Sequence, residues 1–260
     1  MSFDHLCVSK LPIQAMTIRD RITQANRILI NSGKTISGSY WQSVQSKVPM
    51  YEVCNLFFDA PMPETKEELR LLTAPDMPWA EDHFQERVGG EPLNPGEQYK
   101  NWPYYDHSKD NDRFREGDKQ FSHSYMERYW PPRELKGIRY NYGDLNDLVE
   151  KLNDNPQTRQ GYLSVWYPED QQNLKERVPC TLGYHILIRE EKLNITYHIR
   201  SCDIRRHFRN DIYMTIRLAQ WIRDKLKLYF KMGNFYMWIG NLHCFDSEKD
   251  MLEKDEAKWK

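Results

Sequence analysis

Apolar side chains recur at helical intervals in residues 15–32, at Ile18, Ile22, Ala25 and Leu29. This spacing places them on one face of a helix. Thr17 and Asp20 stand three positions apart, as the two members of a capping box do, and Gly33 follows the last apolar position. The pattern therefore predicts an amphipathic helix that ends before Gly33.

Two further helices follow the same rule in the second half of the chain. Asp144 precedes a short pattern that ends before Asn155-Pro156, with apolar positions at Leu145, Leu148, Val149 and Leu152. Residues 211–230 give the longest predicted helix, with apolar positions at Ile212, Ile216, Ala219, Ile222 and Leu226.

Alternation of apolar and polar residues predicts strands in the same half of the chain. One strand is expected at 161–167, and a hairpin runs from 184–188 through a charged turn at 189–192 to a strand ending at Ile199. The aromatic-rich segment 232–245 predicts a strand plus a turn. These elements favour an α+β fold, built on a mainly antiparallel or mixed sheet with flanking helices. Because no internal repeat is visible, we expect residues 1–260 to form one domain.

The first half is less regular. A loop and a strand are expected between Gly33 and about residue 60, whereas 60–135 is rich in Pro, Gly, aromatic and charged residues with weak periodicity. We expect irregular structure with short helices there, of the kind that often carries ligand contacts. A flexible insertion is the alternative, and the sequence leaves both open.

Composition narrows the function classes. The formal net charge of −1 argues against a chain-wide nucleic-acid surface, so an anionic ligand needs a local cationic cluster and no DNA partner is expected. The five cysteines are odd in number and form no CxxC or zinc pattern, which favours free thiols, a reducing compartment and no metal. Neither a secretory signal nor a membrane span is visible, so a cytoplasmic protein is expected.

Cys180 is the first candidate for chemistry. It follows Pro179 at the entrance to the predicted hairpin. A lone cysteine is more often a small buried hydrophobe than a nucleophile, but nearby cations stabilise a thiolate. Arg200 and Arg159 are the candidate cations because both lie at the ends of predicted strands.

The residues around Cys180 carry a resemblance. The run PCTLGYHILIREEKLNITYHIRSCDIRRHFRND, followed by GNLHCF, resembles the signature of the thymidylate synthase superfamily, and it is closest to the deoxycytidylate hydroxymethylase branch. The resemblance is strong over about 140–245. It implies the thymidylate synthase-like fold, a dimer across the sheet, and 5,10-methylenetetrahydrofolate as co-substrate without a metal.

The resemblance also implies site roles. Cys180 corresponds to the thiol that adds to carbon 6 of a pyrimidine deoxynucleoside monophosphate. Arg200 and Ser201 correspond to residues that hold the 5′-phosphate. Asp203 corresponds to a residue that binds folate or structural water, and His243 to one that binds the sugar hydroxyl.

Arg159 implies a homodimer, because its family counterpart reaches the phosphate of the neighbouring subunit. Two other residues of this chain differ from the family pattern. Gln160 replaces a second arginine, which puts phosphate affinity in question, and Phe245 replaces a tyrosine that meets the sugar, which leaves deoxyribose against ribose open.

Upstream, the resemblance reduces to short anchors. Glu81 corresponds to the residue that organises water and transfers protons, with Glu86 as a fallback and a surface glutamate as the alternative. Tyr125 corresponds to the tyrosine that helps remove the carbon 5 proton, with a core tyrosine as the alternative. Trp102, or Trp79, is the candidate to stack on the folate pterin ring.

Asp211 stands where uracil-specific relatives carry asparagine and the hydroxymethylase branch carries aspartate. A carboxylate accepts from the cytosine amino group and, sharing a proton, also donates to ring nitrogen 3. A mispaired buried polar edge costs about 1–3 kcal/mol, so this residue can change base selectivity. The alternative is that Asp211 caps the helix expected to begin at Ile212, and both roles are compatible.

The function implied is conversion of dCMP to 5-hydroxymethyl-dCMP, with methylenetetrahydrofolate supplying the carbon and water the hydroxyl. A dCMP methyltransferase or a thymidylate synthase is the alternative in the same class. A non-catalytic nucleotide- or RNA-binding relative is the alternative of another class. The family also suggests a viral origin, which would place the protein in a host cytoplasm.

Overall fold

The computed structural model describes residues 16–37, 48–105, 120–131, 144–172 and 177–259. Within these residues, seven strands form one sheet: β1 Lys34–Ile36, β2 Met50–Pro61, β3 Tyr162–Ser164, β4 Thr181–Arg189, β5 Lys192–Ile199, β6 Cys202–Asp203 and β7 Lys231–Phe245. The helices are α1 Ile18–Ser32, α2 Lys66–Thr73, α3 Trp79–Arg87, α4 Tyr125–Tyr129, α5 Leu145–Asp154, α6 Phe208–Lys225 and α7 Leu252–Trp259. Short 3-10 turns lie at Glu97–Tyr99, Pro168–Gln172 and Asp246–Met251.

The sheet is mixed, as predicted. Its order is β1-β2-β7-β5-β4-β3, and β6 pairs with β7 beside β5. β5 and β6 run parallel to β7, whereas the other pairs are antiparallel. β7 therefore lies at the centre of the sheet. The strands β5 and β6, which carry much of the sequence motif, pair directly with it.

The predicted helix at the start of the described chain is confirmed. Thr17 and Asp20 form the capping box, and the Gly33 amide donates to the Leu29 carbonyl at 2.8 Å. The predicted hairpin is also confirmed. Its two-residue turn places Glu190 and Glu191 at φ 50° and 58°, the left-handed region that tight hairpin turns require at both central positions.

Several element boundaries differ from prediction. α6 begins at Phe208 and ends at Lys225, because the backbone is extended at Leu226 (ψ 145°). β3 ends at Ser164, because the next two amides both donate to the Leu182 carbonyl and strand pairing stops there. β7 continues to Phe245 without the expected turn, since β2 pairs with it along this length.

One face of the sheet carries the helices and the core, with α6 buried along most of its length. The other face carries exposed aromatic side chains. Phe57 is 60% exposed while its neighbour Phe58 is 4% exposed, and Tyr162 is 45% exposed. That residues 1–260 form a single domain stays a prediction. Across the described ranges, no helix combines the length and apolar character needed to cross a membrane.

A β-bulge between Thr181 and Gly183 interrupts the pairing of β4 with β5. A Cβ on Gly183 would lie 2.6 Å from the Leu163 carbonyl oxygen, so a side chain does not fit. Gly240 meets the same constraint, because its Cβ would lie 2.8 Å from the Arg200 carbonyl oxygen. Both glycines bring the strand ends that carry Cys180 and Arg200 close to their neighbours.

Candidate active site

Cys180 immediately precedes β4, and Arg200 immediately follows β5. The Arg200 amide donates to the Cys180 carbonyl at 2.9 Å. The Arg200 guanidinium donates to the carbonyls of Pro179 at 2.8 Å and Val178 at 3.0 Å, and its Nη2 lies 4.0 Å from the Cys180 Sγ. The structure thus brings together the predicted nucleophile and its predicted cation.

Burial raises the pKa of the Cys180 thiol. Arg200 and Arg177 oppose this shift, whereas the negative charges of Asp211 and Asp203 reinforce it. Since a thiolate is the reactive form, the two arginines act in the direction that nucleophilic chemistry requires.

Tyr125, at the start of α4, contacts the residue that follows Cys180 in the chain. Its hydroxyl is hydrogen-bonded to Thr181 Oγ1 at 3.0 Å, and Thr181 Oγ1 is hydrogen-bonded to the Tyr197 hydroxyl at 2.8 Å. Burial raises the pKa of Tyr125, and the Cys180 charge adds to the rise. A chain of three hydroxyls therefore begins next to the candidate nucleophile.

Asp211 lies in the first turn of α6, where its amide donates to the His207 carbonyl at 2.7 Å. The alternative that Asp211 caps this helix is wrong, because the helix begins at Phe208 and His207 occupies the N-cap position. The Cys202 thiol donates to Asp211 Oδ2 at 3.8 Å. Burial raises the pKa of Asp211 to about 7, against the lowering effects of Arg87 and Cys202.

Cys180 and Asp211 belong to one electrostatic cluster. The Asp211 charge acts on the thiol of Cys180 and on the hydroxyl of Tyr125, and Cys180 acts on Tyr125 as well. These three residues come from the start of β4, the first turn of α6 and α4. The fold therefore gathers the candidate nucleophile, the base-reading candidate and the proton-removal candidate.

Glu81 makes its contacts elsewhere on α6. Its carboxylate accepts from the Tyr213 hydroxyl at 2.6 Å, from Arg217 at 3.0 and 3.1 Å, and from Gln85 at 2.8 Å. Burial raises its pKa, but the hydrogen bonds from Arg217, Tyr213 and Gln85 outweigh burial and lower it to about 2. Its carboxylate thus joins α3 to α6, and its role in proton transfer stays a prediction.

The fallback, Glu86, also has structural partners. Its Oε1 accepts from the amides of Glu97 at 2.5 Å and Gln98 at 3.2 Å, and its Oε2 lies 3.3 Å from His83 Nδ1. Trp79 donates its indole N–H to the Gln98 carbonyl at 2.9 Å. Both side chains hold the Glu97–Tyr99 turn against α3.

Asp203 supports the turn between β6 and α6. Its Oδ1 accepts from the amides of Arg205 at 2.9 Å and Arg206 at 3.0 Å, and its Oδ2 accepts from Arg206 Nη1 at 2.9 Å. His243 is the β7 partner of Asp203, and its Nδ1 lies 2.9 Å from Asn241 Oδ1. Ser201, between Arg200 and Cys202, is partly buried on the approach to this strand.

Arg159 and Phe245 lie away from this cluster. Arg159 is exposed on the loop after α5, where its carbonyl is 3.1 Å from His185 Nε2. Phe245, at the end of β7, packs under the guanidinium of Arg206, with 4.6 Å between the guanidinium carbon and the ring centroid. In this chain the phenyl ring therefore packs on a cation at the position of the expected tyrosine.

Trp102, the predicted folate-stacking residue, packs beside the start of α6. Its indole Nε1 is buried and has no hydrogen-bond partner within the described ranges, so it offers a donor to a ligand. One side of its ring stacks on His207, with 5.0 Å between centroids and a 9° interplanar angle. Among the described residues, no group of three or more His, Cys, Asp or Glu side chains is arranged to hold a metal ion.

Sequence reasoning missed three neighbours of the cluster: Arg87, Thr181 and Arg177. Arg87 shares one face of α3 with the buried residues Ala80 and Phe84, and this helical spacing was the available signal. Thr181 directly follows Cys180, but only the bulge explains why its side chain points inward beside Tyr184. Arg177 carried no signal.

These features, and the chain order in which they occur, agree with the match to known families. A family model described as "Thymidylate synthase" matches residues 94–258. Because this match covers more than half of the chain, the protein belongs to the thymidylate synthase family.

Individual relatives with the same family name are similar to this chain at low sequence identity. The chain is 25% identical over 138 residues to a "Putative thymidylate synthase" of Methanosarcina barkeri, covering 53% of this chain and 59% of that protein. It is 25% identical over 144 residues to a "Thymidylate synthase" of Streptococcus mutans, covering 50% of this chain and 51% of that protein. The match therefore spans only about half to three fifths of the length of these relatives.

A solved structure supports the fold over a longer stretch. The thermostable thymidylate synthase A from Bacillus subtilis superposes with a TM-score of 0.66 at 15% sequence identity, covering 93% of this chain and 84% of that chain. This match confirms the predicted fold class, a thymidylate synthase-like mixed sheet with flanking helices.

Proposed function

We propose that this protein is a folate-dependent one-carbon transferase that acts on carbon 5 of a pyrimidine nucleoside monophosphate, and that its base is cytosine. The reaction proposed is the conversion of dCMP to 5-hydroxymethyl-dCMP. The observation that carries the proposal is that one short segment contacts both residues: Arg200 Nη2 lies 4.0 Å from the Cys180 Sγ, and the Cys202 thiol donates to Asp211 Oδ2 at 3.8 Å. A nucleophile for carbon 6 and a reader of the base edge must both face the same ring.

Cys180 is proposed to add to carbon 6 as a thiolate, and Arg200 supports the ionised sulfur from 4.0 Å. Addition turns carbon 5 into a nucleophile, and its proton must later be removed. Tyr125 is proposed to assist that removal, because its hydroxyl connects through Thr181 to Tyr197. Glu81 is proposed to organise water, a role that requires its carboxylate to leave Arg217.

Asp211 is proposed to select the base. Cytosine presents an amino donor and a bare ring nitrogen, whereas uracil presents a carbonyl and a ring N–H. An acceptor at this position favours the amino group and repels the uracil carbonyl. The raised pKa of Asp211, about 7, also makes a shared proton with ring nitrogen 3 accessible near neutral pH.

Arg200 and Ser201 are proposed to bind the 5′-phosphate, with His243 on the sugar hydroxyl and Arg159 supplied by a second subunit. Arg159 is exposed, as a residue that reaches a neighbour must be. The sheet face that carries Phe57 and Tyr162 offers the aromatic surface for a homodimer. Phe57 stacks on Tyr236 there, with 6.2 Å between ring centroids.

Trp102 and Asp203 are proposed to hold methylenetetrahydrofolate. When bound, this group supplies the one-carbon unit. The unpartnered Nε1 of Trp102 matches an acceptor on such a ligand. Asp203 is proposed to act through the oxygen that now accepts only from Arg206.

The second candidate is a nucleotide- or RNA-binding relative without catalysis. It is favoured by one observation, the engagement of Glu81 with Arg217 and Tyr213, which leaves the candidate water-organising group in a helix–helix contact.

The test is tritium release from carbon 5 of labelled dCMP and dUMP in the presence of methylenetetrahydrofolate. We expect release from dCMP, loss of turnover with retained nucleotide binding in Cys180→Ser, and a relative gain for dUMP of roughly ten- to a hundredfold in Asp211→Asn. Product mass separates hydroxymethyl from methyl. Release from dUMP but not dCMP would contradict the cytosine assignment, and binding without any release would favour the second candidate.

A mixture of variants tests the dimer in the same assay. Arg159→Ala and Cys180→Ser each remove one contribution to a shared site. Mixed subunits should regain part of the activity, because one of the two sites then keeps both residues. An unchanged rate on mixing would contradict the contribution of Arg159 across an interface.

A further inference from the structure

Thr181 carries a hydroxyl that is hydrogen-bonded to two tyrosines, directly after the candidate nucleophile in the chain. Its Oγ1 lies 3.0 Å from the Tyr125 hydroxyl and 2.8 Å from the Tyr197 hydroxyl. Thr181 is fully buried and Tyr197 is 1% exposed, whereas Tyr125 is partly buried at the edge of the core. This hydroxyl chain of Tyr197, Thr181 and Tyr125 therefore starts in the core and ends at the candidate site.

The backbone and the ring contacts hold the hydroxyl chain in place. The bulge at the start of β4 turns the Thr181 side chain towards the core. Tyr197 stacks on Tyr184, with 5.1 Å between ring centroids and a 12° interplanar angle. The Tyr125 ring lies under the Arg87 guanidinium, whose carbon is 4.1 Å from the ring centroid. Because of these contacts, neither tyrosine ring can turn away from Thr181 without losing packing.

The direction of the two hydrogen bonds follows from a count of donors. Each hydroxyl has one proton to donate and two lone pairs that accept. Within the described ranges, Thr181 is the hydrogen-bond partner of the Tyr197 hydroxyl. If Thr181 donated to Tyr197, the Tyr197 proton would be buried without an acceptor, at the full desolvation cost of that group. If Tyr197 donates to Thr181, only lone pairs are left unused, which buried oxygens tolerate better.

We propose that the protons of the hydroxyl chain point one way, from Tyr197 to Thr181 and from Thr181 to Tyr125. Thr181 is then a positioning residue, which presents Tyr125 to the ligand as a hydrogen-bond donor. The Thr181 proton occupies one lone pair of the Tyr125 oxygen, so the proton of Tyr125 itself is left to the ligand. The identity of the ligand rests on the proposed function, but the direction of the hydrogen bonds does not.

This direction also strengthens Tyr125 as a donor. Hydrogen bonds that run head to tail polarise one another, so a hydroxyl that already accepts a proton donates its own more strongly. Burial raises the pKa of Tyr125, and the hydrogen bond with Thr181 opposes this rise. The ligand atom that faces Tyr125 is therefore an acceptor. Thr181 assists the removal of the carbon 5 proton through Tyr125 and need not touch the nucleotide.

The direction of the hydroxyl chain can be measured without any ligand. Neutron diffraction from a deuterium-exchanged crystal of the wild-type protein locates the hydroxyl deuterons. We expect the Tyr197 deuteron to lie between Tyr197 and Thr181 Oγ1, and the Thr181 deuteron to lie between Thr181 and the Tyr125 oxygen. A Thr181 deuteron that points to Tyr197 overturns the proposal, whatever the activity of the protein.

Two substitutions separate the hydroxyl of Thr181 from the shape of its side chain. Thr181→Val removes the hydroxyl at nearly the same volume, whereas Thr181→Ser keeps the hydroxyl. We expect Thr181→Val to slow tritium release from carbon 5 of dCMP about tenfold, as the loss of one hydrogen bond would, and Thr181→Ser to restore most of the rate. In a Tyr125→Phe background, Thr181→Val should cause no further loss, because Thr181 acts through the Tyr125 hydroxyl.

Thr73→Val is the matched control. It removes another buried threonine hydroxyl, one that donates to the Leu69 carbonyl at 2.8 Å within α2, and it should leave tritium release unchanged.

Each outcome decides a different point. A further loss of similar size when Thr181→Val is added to Tyr125→Phe overturns the positioning role. If Thr181→Val does not fold, the deuteron positions in wild type still decide the proposal. If wild type releases no tritium from either dCMP or dUMP, the proposed function fails, while the deuteron positions still decide the direction of the hydroxyl chain.

Discussion

Two carboxyl groups lie on or against helix α6 in this protein, and their surroundings shift their pKa values in opposite directions. Glu81 reaches the helix at Tyr213 and Arg217, where three side chains donate to it and lower its pKa to about 2. Asp211 lies on the first turn of the same helix, where burial raises its pKa to about 7. Direct donors outweigh burial at Glu81, whereas burial outweighs the charge of Arg87 and a weak thiol donor at Asp211.

The difference separates an acid whose carboxylate stays ionised from one suited to proton sharing. A carboxylate that is ionised at every physiological pH serves as a fixed partner for Arg217. A carboxyl that titrates near neutrality can accept or share a proton with a bound base. The resemblance assigned proton transfer to Glu81, but the local electrostatics favour Asp211 for a group that changes charge.

The largest expected effect is on stability at Asp211. Its pKa is 3.8 in an ordinary setting and about 7 in the fold, so the native state binds more protons and stability falls as pH rises from about 4 to about 7. The shift of about three units corresponds to about 4 kcal/mol at most. Urea unfolding of wild type and Asp211→Asn at pH 4.5 and pH 8 should show the variant gaining that much relative to wild type. A difference in the free energy of unfolding between the two proteins that does not depend on pH would contradict the raised pKa of Asp211.

A smaller effect of opposite sign is expected at Glu81, whose side chain is 13% exposed. Its pKa falls from 4.5 to about 2 on folding, so its contribution to stability is present above about pH 4.5 and is lost as pH falls through about 2. Glu81→Gln should therefore lose roughly 3 kcal/mol at pH 7. A double-mutant cycle with Arg217→Gln is the control, and the loss should shrink on acidification. A loss that grows at low pH would contradict the assignment.

The smallest effect concerns Cys202. Its thiol is a weak donor to Asp211 at 3.8 Å and lowers the pKa of Asp211 slightly. Cys202→Ala should raise the Asp211 titration midpoint by about half a pH unit or less, measured on the side-chain carboxyl ¹³C resonance of Asp211. Cys244→Ala, at a buried cysteine on β7, is the matched control and should leave the midpoint in place. A shift of about one pH unit or more would make the thiol, rather than Arg87, the main group that lowers the pKa of Asp211.

The sequence predicted those elements whose signals are local. The capping box at Thr17 and Asp20 and the hairpin at Glu190 and Glu191 depend on a few adjacent residues, and both are confirmed. The start of α6 could not be predicted, because three polar residues at 209–211 hide its first turn. Asn210 is buried there only because it contacts Asp76, 134 positions away in the chain.

In the candidate site, too, local sequence patterns predicted some features, whereas others depend on tertiary packing. The closeness of Cys180 to Arg200 follows from the pairing of β4 with β5, which the hairpin pattern implied. The contacts of Glu81 and the position of Arg87 depend on how α3 packs against α6 and α4, and no local pattern encodes that packing. Resemblance supplied roles for motif residues, whereas the cation near Asp211 emerged only from the three-dimensional arrangement.

Because of the bulge beside Gly183, the number of residues in this segment determines which side chains face the candidate site. It puts Thr181 and Tyr184 on the same side of the sheet, although strict alternation would separate them. Deleting one residue here would leave the hairpin free to re-pair, but the thiol and its neighbouring hydroxyl would then face the opposite surface. In this protein the length of the segment around residue 183 is therefore constrained, just as the identity of Gly183 is.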